Sequence, residues 1–136
     1  MEKFYVLYND CYGGFGINKE AIKEYNRRAI EDGQTTIYEI DSNRFEPDRD
    51  DPILIAMYLD KEWNTDGNRL NTKHSRINIA EFNMNVHGCI DIHEYDGQEI
   101  PYVNKEKLLK KECIKILYDD SINDSTKISK LKTLIN

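Results

Sequence analysis

The residues whose types and spacing best suit chemistry are Cys11-Tyr12-Gly13-Gly14-Phe15-Gly16, a run lying between an apparent strand and an apparent helix. Glycines let backbone N–H groups approach an anion closely, and the start of a following helix adds partial positive charge. Tyr12, Gly13, Gly14 and Phe15 are therefore candidates for a phosphate cradle. The run lacks the G-x-G-x-x-G spacing of a dinucleotide fingerprint and the Lys-Ser/Thr pair of a P-loop. A simpler reading of the same residues is a tight turn, with Cys11 and Phe15 packed inward.

Cys11 beside a helix start has the position of an activated thiol, but its base would have to come from His74, His87 or His93, all in distant segments. His87, Cys89 and His93 alternate along one side of a strand pattern at spacings too loose for compact zinc binding, so no metal is expected. No cofactor is expected either. Arg27, Arg28, Arg44, Arg49, Arg69 and Arg76 carry planar forks that clamp phosphates, or else pair with surface carboxylates. Phe82, Tyr95 and Tyr102 are free to stack on a base or to complete a core. No nucleophile, base and oxyanion hole come together in the pattern, which favours a binding protein over an enzyme.

These groups need a scaffold, and 136 residues with 39% hydrophobic content suit one domain with a modest core. No run approaches the ~20 apolar residues that span a bilayer, and the first residues enter a strand without a signal-peptide pattern. Cys11, Cys89 and Cys113 are odd in number and far apart, which fits reduced thiols in a cytoplasm rather than a disulfide scaffold. The formal charge of −6 opposes binding to nucleic acid polymers. Residues 104 to 136 hold eight Lys and five acids, a net +3, which leaves −9 on residues 1 to 103. A basic tail on an acidic body suits docking on a neighbouring copy or, more simply, a solvated charged face.

The expected class is α/β of the α+β kind: an antiparallel-rich sheet, helices and a C-terminal helical hairpin. Lys3 to Asn9 alternates apolar residues on both faces and reads as a central strand. Asn18 caps a helix running to about Asp32 and closed by Gly33, and Thr35 to Asp41 is a second strand. Asp51-Pro52 opens another helix over the apolar run Ile53 to Leu59. Asn64 to Ser75 is a long surface loop. Arg76 to Phe82 and Asn85 to Tyr95 are strands, Asp96-Gly97 is a hairpin turn, and Gln98 to Val103 returns as an edge strand because Pro101 lacks a ladder donor. Two helices follow, with stripes of Leu109, Cys113, Ile116 and Leu117, and of Ile128, Leu131 and Ile135; Ser121 with Asp124 resembles a capping box for the second. Residues 1–103 form the core unit and 104–136 an oligomerisation element or a flap folded back on the sheet.

Three stretches together resemble a family of small phage and large-virus proteins: Tyr5 to Asn9 with the Cys11–Gly16 run, Asp51-Pro52-Ile53-Leu54-Ile55, and Glu94-Tyr95-Asp96-Gly97. Within it the chain resembles the first-described Thoeris anti-defence proteins, sponges for cyclic ADP-ribose-type immune signals. The resemblance covers most of residues 4 to 103 and leaves out the terminal hairpin. It implies a homo-oligomer built from dimers, holding a cyclic ADP-ribose isomer without cleavage near subunit interfaces, through arginines and an aromatic ring. Arg28, with Arg27 beside it, would contact phosphate and Phe82 would stack on adenine. Members of that family often carry a His-Arg pair shortly after Glu-Tyr-Asp-Gly, where this chain has Asn104 and Lys105, which leaves Lys105 as a substitute candidate for the second cationic contact. The alternatives are an inhibitor that binds a host protein directly and a small nucleotide hydrolase.

Overall fold

The computed structural model describes residues 2–34, 38 and 45–136. Strand β1 (Lys3–Asn9) leads through the glycine-rich loop to helix α1 (Lys19–Glu31), and helix α2 (Pro52–Leu59) follows. Strand β2 (Ile77–Asn83), a 3-10 turn (Met84–Val86), strands β3 (Ile90–Tyr95) and β4 (Gln98–Val103), and helices α3 (Lys105–Leu117) and α4 (Asp124–Ile135) complete the order. This is the mixed, antiparallel α+β class that the patterning predicts. The strands form two separate antiparallel pairs, β1 with β2 and β3 with β4. The strand expected over Thr35 to Asp41 lies outside the described residues except for Tyr38, as does Arg44.

Among the described residues β1 has one strand neighbour rather than two. On its other edge the Leu7 amide donates to the Arg49 carbonyl (2.8 Å) and the Asn9 amide to Glu99 Oε1 (2.8 Å). A loop carbonyl and a buried carboxylate thus do what a third strand would have done.

Helix α1 starts where expected: Asn18 Oδ1 accepts from the Ala21 amide at 2.8 Å. Gly33, at φ 86°, follows its C-terminal end. Its inward face, Ala21, Ile22, Tyr25 and Ala29, packs with Leu7, Leu54, Met57, Leu70 and Ile77 into the core. Asp51 joins the two helices. Its Oδ1 caps α2 by accepting from Ile53 and Leu54, and its Oδ2 accepts from the Tyr25 hydroxyl at 2.6 Å. Burial, reinforced by that carboxylate, raises the Tyr25 phenol well above its ordinary range.

Three local expectations are corrected. The segment from Asn64 to Ser75 is not simply a surface loop, because Asn64, Leu70 and Ser75 are buried. Asn64 holds both ends of its turn, donating to the Tyr58 carbonyl and accepting from the Arg69 amide, which lets Leu70 enter the core. Strand β3 begins at Ile90 rather than Asn85, because the 3-10 turn and Gly88 at φ 83° break the extended run. The cap of α4 is Asn123, whose Oδ1 reaches the Thr126 amide at 2.8 Å, whereas Ser121 is tied back to Asp119.

Leu54 and Met57 are fully buried between the two helices and the sheet. Leu54→Ala should lower stability by ~2–5 kcal/mol, the range for a large-to-small core change, read from the urea midpoint at unchanged slope.

Candidate functional site

The glycine-rich loop is interlocked with the β3–β4 turn. Asp96 and Gly97 both have positive φ (50° and 88°), as a two-residue type I′ turn requires. A Cβ on Gly97 would lie 2.4 Å from the Gly14 nitrogen, and one on Gly13 would lie 1.6 Å from the His74 carbonyl oxygen. Backbone therefore meets backbone on both sides of the loop, so the glycines serve close packing here. Asn9, fully buried, ties the parts together. Its Nδ2 donates to the Cys11 and Gly97 carbonyls (2.7 and 2.8 Å), and its Oδ1 accepts from the Arg76 amide at 2.8 Å. The Cys11 thiol donates to Asn9 Oδ1 (3.4 Å) and to the main-chain oxygen of His74 (3.3 Å), so it meets that histidine through its backbone and not its ring. Tyr12 stands 70% exposed at the loop's tip.

Beside this interlock sits a charge pair that the sequence patterns do not single out. Arg49 Nη1 and Nη2 donate to Glu99 Oε1 and Oε2 at 2.5 and 2.8 Å, a bidentate fork. Its guanidinium lies 3.6 Å from the centroid of the Phe15 ring. Phe15 is therefore half-buried beneath a cation.

The other candidate arginines among the described residues, Arg27, Arg28, Arg69 and Arg76, also have partners. Arg27 forks onto Glu24 (2.7 and 2.9 Å) and reaches Glu31 at 2.6 Å. Arg28 Nε donates to Glu24 Oε2 at 2.6 Å and its Nη2 to Asp60 Oδ2 at 2.7 Å. Arg69 lies over Trp63 at 4.5 Å, and Arg76 donates to the Asp10 carbonyl at 2.6 Å. Hydrogen bonds from Arg27 and Arg28 hold the Glu24 carboxyl down at about 2. Arg28 lines a groove of about 350 Å³ with Glu31, Asp32, Pro52, Ile53 and Ala56, in which its charge is already balanced. Phe82 stacks against Phe4 (centroids 5.7 Å apart) on the β1–β2 ladder. Lys105 is exposed on the first turn of α3. The groove that Arg28 lines contains neither Phe82 nor Lys105.

Two hollows share Gly88 in their lining. One, about 220 Å³, is lined by Phe4 and Val6 of β1, Arg49, Asp50, Gly88, and Ile90 and Ile92 of β3. The other, about 350 Å³, is lined by His87, Gly88 and Cys89 with Lys107, Lys110, Lys111 and Ile114 of α3. The first falls below the ~300 Å³ at which ligand pockets usually begin, so alone it suits a single ring system. Phe4 forms one wall, backed by Phe82 on one side and by an edge contact with His87 (4.9 Å) on the other. In the second hollow Lys111 Nζ donates to the Asn85 and His87 carbonyls (3.3 and 2.8 Å), and Lys107 pairs with Asp91. That contact raises the Lys107 ammonium and lowers the Asp91 carboxyl. Among the described residues no three His, Cys, Asp or Glu side chains cluster to hold a metal, and no helix is long and apolar enough to cross a membrane. Comparison with family models, curated proteins and solved structures finds no match for the chain.

The lysine groove was missed, although positions 107, 110, 111 and 114 follow the i, i+3, i+4, i+7 spacing of one helix face. Arg49 and Glu99 lie 50 positions apart, so nothing local announces their pairing.

Glu99→Gln removes a charge from a pair whose carboxylate side chain is 8% exposed and whose guanidinium is 27% exposed. The loss should approach ~3 kcal/mol, the lower end for breaking a buried pair, measured by urea unfolding. Glu24 adds a pH signature. Its depressed folded pKa contributes stability that is fully present above the ordinary value of 4.5 and lost as pH falls towards about 2. The melting-temperature gap between the wild type and Glu24→Gln should therefore close on acidification through that window.

Proposed function

We propose that this protein binds a small phosphorylated nucleotide, of the cyclic ADP-ribose class suggested by its motifs, and sequesters it unchanged as a phage anti-defence protein in the host cytoplasm. The observation that carries the reading is a ring-sized apolar slot and a lysine-lined groove whose linings share Gly88. In this reading the base sits beside Phe4 and the phosphates are held by Lys110 and Lys111 of α3. Lys110 is the preferred phosphate contact, since Lys107 pairs with Asp91 and Lys111 is held by two carbonyls. Arg28 then acts in packing, as the tie between Glu24 and Asp60. Sequestration needs affinity and abundance rather than rate acceleration. Micromolar binding corresponds to about −8 kcal/mol and nanomolar to about −12, a scale that one stacked ring and a few charge-assisted contacts can reach.

The test is to mix the purified protein with a cyclic ADP-ribose isomer, remove free ligand, denature by heat and analyse the released small molecules by mass spectrometry. Recovery of intact ligand is expected. Chemically altered ligand would make the protein an enzyme, and no capture would turn attention to binding of a host protein through the terminal helices. In calorimetry, Lys110→Ala should weaken binding by at least ~1.5 kcal/mol, the lower range for a charge-assisted hydrogen bond. Equal affinity for wild type and variant would place the phosphates elsewhere.

A further inference from the structure

Among the described residues that line the slot beside Phe4, the polar side chains are those of Arg49 and Asp50. Arg49 turns both terminal nitrogens to Glu99, at 2.5 and 2.8 Å, and lies over Phe15 at 3.6 Å. Its charge is already answered within the protein. Asp50 differs. Its side chain is 50% exposed, and its Oδ2 stands 3.8 Å from His87 Nε2, too far for a hydrogen bond. The His87 ring makes an edge contact with Phe4 at 4.9 Å, so one imidazole separates this carboxylate from the slot's aromatic wall.

An ionised carboxylate accepts hydrogen bonds and donates none. A slot walled by Phe4, Val6, Ile90 and Ile92 with one such acceptor suits a flat ring that carries a donor on its edge. An exocyclic amine meets that need. An oxygen in the same place sets acceptor against acceptor and leaves the carboxylate without a partner. The same negative charge repels a phosphate, whereas the hollow that shares Gly88 is lined by Lys107, Lys110 and Lys111. Charge thereby sorts the two ends of a nucleotide between the hollows.

We infer that Asp50 is the residue that reads the base, accepting from the 6-amino group of adenine and disfavouring the 6-oxo group of hypoxanthine. The inference rests on the nucleotide reading above and adds to it the group that selects the ring. Because Asp50 is half exposed, water replaces part of a lost contact. The discrimination is therefore about tenfold, the worth of one charge-assisted hydrogen bond, rather than the ~10⁴-fold of a sealed polar site.

Calorimetry on the full chain tests it with two probes, a cyclic ADP-ribose isomer whose adenine amine is unsubstituted and the hypoxanthine counterpart of the same isomer. The wild type should bind the hypoxanthine compound about tenfold more weakly. Asp50→Asn, whose amide both donates and accepts, should keep the wild-type melting temperature and bring the two affinities within about threefold of each other. Lys110→Ala should weaken both compounds alike and leave their ratio unchanged. Equal affinities in the wild type would overturn the inference and leave the nucleotide reading standing. So would an undiminished gap in Asp50→Asn, including equal weakening of both compounds, which would make Asp50 a support of the slot and not its reader. Failure of the wild type to bind either compound would overturn both readings together.

Discussion

The contact between Arg49 and Glu99 is the constraint on which the rest of the arrangement turns. Glu99 comes from β4, in the second strand pair, yet it accepts from the Asn9 amide of β1 in the first. It joins two ladders that share no strand, and Arg49 supplies the positive charge that makes a carboxylate tolerable there. A buried pair of this kind is weak as a source of stability, because desolvation offsets much of the attraction. Its value lies in direction. Two forked hydrogen bonds and the ring of Phe15 fix where β4 sits against β1, and that placement fixes the slot walled by Phe4, Val6, Ile90 and Ile92.

The Cys11–Gly16 loop, the Asp51-Pro52 helix start and the Asp96-Gly97 turn gather around this contact. Asn9 ends the first strand, Gly13 and Gly14 face His74 and Gly97, and Asp51 stands two residues beyond Arg49. Their joint spacing follows from geometry: a loop and a turn can touch backbone to backbone only if both lack side chains at the crossing. The functional reading of those residues as a cradle and the structural reading as an interlock rest on the same property of glycine. In this fold the second is directly visible.

What was legible beforehand were features decided by neighbours in the chain. Asn18, the Asp51-Pro52 start, the Asp96-Gly97 turn and the alternation of β1 all act within a few residues, so periodicity and capping chemistry located them. What stayed hidden depends on partners far away in sequence. Nothing near Leu70 says that Asn64 will fold its loop inward, and nothing in the β1 pattern says that its second edge will face a carboxylate rather than a strand. The arginines illustrate the same limit. Their forked shape suits phosphate and carboxylate alike, and only the fold reveals that Glu24, Asp60 and Glu99 stand opposite them. The lysine face of α3 was within reach, because helical spacing alone puts it on one side.

The bond from the Asn9 amide to Glu99 spans 90 positions of a 136-residue chain. Loops that long close late and at an entropic cost, and folds dominated by such closures form more slowly than helical ones. During synthesis β1 leaves the ribosome long before the side chain that completes its free edge. Until Glu99 follows, the Asn9 amide on that edge lacks its acceptor and stays open to any extended chain nearby.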